Sequence, residues 1–506
     1  MSAGGVAPGT PLLLGLDIGS SGGRAVLFDA GGRLAAQAVQ AWAPRFPRPD
    51  WAELDAEAIW TATAGLVEAA CAQAAPARVA GVGISSQLTT LFLDASHAPV
   101  FPVLPWLDRR AEAEARALEA EAGRECLARV AGRRAAAERP AAIVRWVREH
   151  EPAVWGRTAW VCTLKDYLVF RLTGRLASDE PHASYSLLFD VRAKRWDAGL
   201  CELAGVPPSR LPEVLPSPAL IGHVQPSAAE ATGLSAGVPV VAGGPDGTLA
   251  TLGAGLTMPA VGVDVTGTTD VVFACLREPK LDPAGGLVTN VHACPEHWLL
   301  GGPTTTTGGM LAWFAEHIAR ETDFARLTEE AAEIPPGAEG VRCFPALSGD
   351  RTPVWDPHAR AAFIGLGVAH RRGHCVRAIL EACACVVRRV QQAIVGFGEK
   401  MGEMRVVGGA AESLLWSQIR ADMLSLPVRP MPLRNASALG AAILAAAGVG
   451  VHADVAAAAT AMSRSGELLW PRPDVRETYE GLYGEFEGIQ RLLQQGERTR
   501  WRESTT

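Results

Sequence analysis

Short apolar runs broken by glycine and hydroxyl residues set the rhythm of this chain. LLLGLDI and RAVLFD read as two strands, and Gly31-Gly32 as a turn into RLAAQAV, so residues 12–39 predict a β-hairpin start. Between the first two strands lies GSSGG, with no side chain bulkier than Ser. Residues 52–73 carry the apolar periodicity of a helix. VAGVGIS, 79–85, reads as a buried strand that ends in a polar cluster. Helices are predicted near 108–121, 140–149 and 164–172, and a strand at VPVVAGG, 238–244, running into a small-residue helix at PDGTLATLGAGL. The Pro-rich stretch 202–236 predicts a segment wrapped over the surface.

A second strand–turn–strand unit follows at VGVDVTGTTDVVFAC, 261–275. Beside LGLDIGSSGGRAVLF, 14–28, it repeats the order apolar-Gly-apolar-Asp, then Gly with hydroxyls, then an apolar strand. The two copies lie about half the chain apart, too far for a solenoid, so they predict two domains of like topology. Further on come a strand pair at 287–301, a helix from Gly308 and a long helix over 373–397. Then follow a strand, Gly turn and helix start at 404–413, a short strand at LPVRP and a small-residue helix at 437–448. Residues 475–497 predict a charged terminal helix, either a dimer contact in a homodimer or a solvated cap.

Length agrees with two domains, since 506 residues exceed one ordinary core. With 48% hydrophobic and 20% charged residues the chain reads as globular. A net charge of -7 argues against nucleic-acid or anionic-membrane partners. The start, MSAGGVAPGTP, lacks the pattern of a signal peptide, and no apolar run is long enough to span a membrane, so the expected location is cytoplasmic. Ten scattered cysteines form no CxxC pair and no zinc framework; Cys383 and Cys385 point to different faces of a helix.

Three Gly/hydroxyl turns follow apolar strands: Gly19 to Gly23, Gly267-Thr268-Thr269, and Gly408-Gly409-Ala410-Ala411. Small residues let backbone N–H groups approach an anion, and the third turn opens a helix. No GxxxxGK[ST] occurs, and GSSGG misses the dinucleotide spacing. Asp246, in Gly-Gly-Pro-Asp-Gly, is delivered by a strand to a helix start, where it is either an N-cap or an ionised base for an attacking hydroxyl. Asp17 points into the first turn, to bond its amides or to orient Mg²⁺. Arg24 either is solvated or neutralises a moving phosphoryl group. Gln87, Leu88 and Thr89 follow a buried strand and, with Trp106, Asp108 and Arg109, are candidate sugar contacts; core packing is the alternative for the tryptophan.

Taken together, these segments resemble the FGGY carbohydrate kinases, a family that includes xylulokinase, gluconokinase and glycerol kinase. DIGSSGGR from Asp17, WAELDAEAIW (51–60), KDYLVFRLTG (165–174), SDEPHAS (178–184) and GGPDG resemble segments of its first half. TGTTD (266–270), GGPTTTTGGMLAWF (301–314), FPALSGDRTPVWDPHARAAFIGL (344–366) and VVGGAAESLLWSQIRADML (406–424) resemble its second. Cys375 departs from the second family signature.

The resemblance implies two RNase H-like α/β domains of the actin and hexokinase type with an active-site cleft between them. It divides the chain into a sugar-binding and catalytic domain, 1–254, and a nucleotide-binding domain, 255–506. It implies ATP and Mg²⁺, with Asp246 as base and Asp17 toward the metal. Ser20, Ser21, Arg24, Thr268, Gly308, Gly409, Ala410 and Ser413 are placed on the nucleotide. The acceptor is a small sugar or polyol. Leu88-Thr89 stand where xylulokinases usually carry Met-His and glycerol kinases Arg-Glu, so neither pair is present. The chain otherwise looks nearer the xylulokinase branch, which puts a ketopentose first and a polyol or sugar acid next. An actin-like ATPase would not need the Asp246 and 344–366 segments, and a non-catalytic homologue would not keep both aspartates.

Overall fold

The computed structural model describes residues 11–75 and 78–503, with side chains to 493; the sequence start lies outside the described residues. The chain forms two compact units. The first comprises the described residues to Thr257 with Leu276–Leu299 and Asn435–Ser463; the second comprises Met258–Cys275, Leu300–Arg434 and the segment from Arg464. The chain crosses between the units several times.

In the first unit, strand Pro11–Ile18 pairs antiparallel with Gly22–Phe28, which pairs with Leu34–Ala41. On its other side Pro11–Ile18 runs parallel to Arg78–Ser86, with Asp17 opposite Ser85. Leu12, Leu14, Leu16 and Ile18 project into a core shared with helix Ala56–Ala74, whose N-terminus is capped by the Asp55 carboxylate. The alternate positions face helix Ala436–Gly448. At Gly15 an added Cβ would lie 1.9 Å from the Ala438 carbonyl oxygen, and at Gly83 2.0 Å from that of Ala441. Backbone touches backbone there, which is why glycines and alanines are required. This contact also joins the helix, far later in the sequence, to the first unit.

The Pro-rich stretch is not a surface wrap. Leu220–His223 pairs antiparallel with Pro239–Val241 as the edge of the same sheet, and Ile221, Val224, Ala228 and Leu234 join its core. Pro216, Pro218 and Pro226 flank this edge strand rather than lie in it.

The second unit repeats this arrangement. Val261–Thr266 pairs antiparallel with Thr269–Leu276 and parallel with Glu403–Gly408, which pairs with Val428–Met431. A hairpin with a parallel strand on the outer side of its first strand is thus the core of both units. The helix predicted over 373–397 runs Arg372–Gly396 and is covered on both faces, so Cys383 and Cys385 are both buried. Part of the cover is the terminal helix, Arg476–Glu503, whose Tyr479, Leu482, Tyr483 and Phe486 are buried. Glu480 and Glu487 of that helix pair with Arg388 and Arg389 at 2.6 and 2.7 Å. Its apolar face is therefore used within the second unit. Among the described residues, no helix is long and apolar enough to cross a membrane.

Candidate active site

Three neighbouring strand ends of the first sheet carry the acidic residues. Arg78–Ser86 lies between Pro11–Ile18 and the short strand Gly244–Pro245, with Ser85 opposite both Asp17 and Gly244. Gly243 makes the approach possible: its φ is +80°, and a Cβ would sit 2.1 Å from the Ile84 carbonyl oxygen. Pro245 flanks helix Asp246–Gly253, so Asp246 occupies its first turn rather than the cap position. The Asp246 carboxylate accepts the Gly247 N–H at 2.7 Å.

The sequence predicts an ionised Asp246 held by the helix terminus, but burial works against this. Burial raises its pKa, opposed by the Gly247 bond and the charge of His182. Asp17 is raised to about 6, first by burial and next by the charge of Asp246; Arg24 opposes, its Nε 3.5 Å from Oδ2. Arg24 keeps its side chain 38% exposed yet is held in place: Asp17 is its register partner and Nη1 donates to the Asn435 side chain at 3.1 Å.

Ser20 is hydrogen-bonded to two of the acceptor candidates. Its Oγ donates to the Gln87 side-chain oxygen and accepts the Trp106 indole N–H at 3.1 Å. The Gln87 amide nitrogen is buried and lacks a partner among the described residues. Trp106 is 44% exposed, with its backbone N–H bonded to the Leu88 carbonyl, so it is a surface ring rather than core. Ser21 is exposed and Leu88 half-buried. Thr89 is brought elsewhere: it is buried, and its hydroxyl accepts the Leu164 N–H at 2.8 Å. A strand beginning at Thr89 turns this side chain inward, so its role is to anchor helix Leu164–Thr173.

In the second unit, Thr268 sits in the hairpin turn and Gly308 lies against it. A Cβ at Gly308 would be 2.2 Å from the Gly267 carbonyl oxygen, and the Gly309 N–H bonds the Thr268 carbonyl at 2.9 Å. The third turn differs from its predicted form. Gly408 holds φ +93° and Gly409–Glu412 is a single tight turn; the helix begins at Leu414. Ser413 caps that helix through the Trp416 N–H at 3.3 Å. Ala410 is buried, its N–H given to Thr266 Oγ1 at 3.0 Å and its carbonyl accepting from Ser417. Gly409 remains open, with nothing within 4 Å of an added Cβ.

Two buried networks escape sequence reading. Asp264, the repeat counterpart of Asp17, is paired with Arg420 Nε at 2.7 Å, while Arg420 Nη2 reaches Asp270 at 2.8 Å. Burial pushes both carboxyls up and Arg420 opposes; Asp270 also accepts from Thr307 at 2.6 Å. In the first unit Lys165 joins Asp166 and Asp179, at 2.7 and 2.9 Å, and Asp179 bonds His182 Nδ1 at 2.8 Å. His182 thereby places its charge near Asp246. Arg420 stands 156 and 150 residues from its two carboxylates, which no spacing reveals, whereas KDYLVFRLTG and SDEPHAS supply the second network.

Residues 12–253 match the N-terminal domain, and residues 262–449 the C-terminal domain, of the FGGY family of carbohydrate kinases. The chain is 29% identical to a xylulose kinase of Lactococcus lactis over 93% of its own length and 95% of the relative's. It is 32% identical to a glycerol kinase of Gloeobacter violaceus, over 90% and 91% of the two chains. The solved xylulose kinase of Rhodospirillum rubrum superposes with a TM-score of 0.89 at 31% identity, covering 96% of this chain and all, 100%, of that one.

Proposed function

Because the chain belongs to the FGGY family of carbohydrate kinases, and is with it a phosphotransferase, we propose that it moves the γ-phosphoryl group of ATP to a hydroxyl of a small sugar or polyol, with Asp246 as the base. The carrying observation is the placement of Asp246: first turn of a helix, at strand ends that also bear Asp17. As the acceptor oxygen bonds to phosphorus and the bond to the ADP oxygen breaks, the acceptor proton passes to Asp246. Phosphoryl transfer relies mostly on positioning and electrostatics, so a carboxylate suffices as base. The upward shift of its pKa makes it a better proton acceptor than an exposed aspartate once ionised.

The Asp17 end suits Mg²⁺. Burial and the charge of Asp246 raise the Asp17 carboxyl, with Arg24 and a bond from Ser85 opposing, and a divalent cation would offset the negative charge gathered there. Bound Mg²⁺ would neutralise the nucleotide phosphates, and Asp17 would orient it. Thr268, Gly308 and the open face of Gly409 are assigned to the nucleotide, Gln87, Leu88 and Trp106 to the acceptor. Ser20 links the Gln87 and Trp106 side chains, and its assignment moves to the acceptor with them.

Xylulose kinase relatives support a ketopentose acceptor, yet glycerol kinases match at comparable identity, so relatedness does not separate the two. The test is ADP release in a coupled assay over ketoses, polyols and aldonic acids. Acceptor-dependent release supports the reading, and ATP hydrolysis indifferent to every acceptor would remove it.

A further inference from the structure

One buried arginine of the first unit is poorly answered among the described residues. Arg133 is among the largest fully buried side chains. Its Nη2 donates to the Asn290 side-chain oxygen, but Nε and Nη1 have no partner among the described residues. The guanidinium lies over the Tyr185 ring at 4.4 Å, and Arg139 lies over the same ring at 5.7 Å. Arg139 has a carboxylate of its own, Glu138 at 3.3 Å, which Arg109 also approaches at 3.8 Å. Arg133 has no ion pair among the described residues, and burial together with the charge of Arg139 depresses its pKa to about 9, with Tyr185 and Glu138 opposing.

The fold holds this unpaired charge in place. The Thr289 N–H bonds the Gly132 carbonyl at 2.8 Å, and at Gly132 a Cβ would meet the Thr289 carbonyl oxygen at 2.6 Å. The chain before Arg133 is thus fastened to the chain before Asn290. Asn290 also donates to the Tyr185 hydroxyl at 3.0 Å. Tyr185 ends helix Glu180–Tyr185, which packs on Gly244–Pro245, and its phenol feels the charge of Asp246. The arginine patch therefore adjoins the residue assigned as base. A buried guanidinium with free N–H groups favours an anion, because both charge and hydrogen bonds go unsatisfied without one.

We infer that the acceptor is a polyhydroxy acid whose carboxylate pairs with Arg133 while one of its hydroxyls faces Asp246. One unanswered guanidinium calls for a single negative charge, which selects a carboxylate over a phosphate dianion. The inference rests on the kinase reading and narrows it.

The experiment measures kcat/KM by ADP release for aldonic acids and for the ketoses, alditols and sugar phosphates of matching chain length. The expected result is that an acid exceeds its neutral match by at least about 100-fold, as for a site whose buried polar groups require their partner. Arg133→Met should erase that preference by lowering the value for the acid about 100-fold relative to its neutral match, and Arg133→Lys should keep part of it. The wild-type comparison stands even where a variant fails to fold. Neutral or phosphorylated acceptors used as well as the acid would overturn the inference and leave the kinase reading intact. ADP release stimulated by no acceptor would overturn both.

Discussion

Asp17 and Asp246 share one end of the first sheet, and the charge of Asp246 helps to hold the Asp17 carboxyl at a pKa of about 6. A pair so arranged is costly to the fold and useful to a reaction that needs a base beside a cation. Replacing Asp246 should separate these effects. Asp246→Asn is expected to lower kcat by about 10³-fold or more, with ATP affinity nearly unchanged, as read by turnover and by nucleotide titration. Turnover like wild type would end its role as base.

Asp17 predicts a pH dependence of stability. Its folded pKa, about 6, lies above the ordinary value of 3.8, so the folded state holds its proton longer than the unfolded one. Ionisation therefore costs stability: the cost is absent below about 3.8 and complete above about 6. Asp17→Asn should raise the melting stability near pH 7.5 by on the order of 1–3 kcal/mol and by nothing near pH 3.5. A constant difference across that window would contradict the assignment. The same variant should lose Mg²⁺-dependent turnover.

The glycine pair of the third turn should divide by property. Gly408 combines φ +93° with a Thr266 carbonyl oxygen 2.1 Å from any Cβ, so Gly408→Ala should destabilise by about 2 kcal/mol or more in thermal unfolding. Gly409 faces open space. Gly409→Val should melt within about 0.5 kcal/mol of wild type but weaken ATP binding, measured by titration. Equal ATP affinity would remove Gly409 from the nucleotide site.

Arg420 answers two buried carboxylates, Asp264 and Asp270, with its own side chain fully buried. Arg420→Met should cost about 3–5 kcal/mol at neutral pH, because both acids lose their partner. The loss should shrink on acidification, as protonation removes the buried charge; denaturant unfolding at two pH values measures this.

Much of the fold was legible because local patterns carried it. The two hairpins, the 79–85 strand, the 437–448 helix and the helix opening at Asp246 follow from runs of buried apolar residues and small-residue turns. The stretch 202–236 was not, because the prolines on either side of a short edge strand give it the composition of a loop. Thr89 and Ala410 also lie differently from their expected faces: their polar groups satisfy Leu164 and Thr266, partners 75 and 144 residues away.

Read alone, the order of residues determined the repeated hairpins, the acidic strand ends and the glycines that bring backbones together. These depend on neighbours in sequence, through periodicity, turn conformation and the space a missing Cβ leaves. Tertiary structure alone decided which partners each aspartate of the two hairpins meets. Asp17 and Asp264 occupy like positions in the two hairpins. Only Asp264 meets a buried arginine, and only Asp17 meets the charge of Asp246. Charge and desolvation depend on what the fold brings close in space, and no spacing along the chain records that.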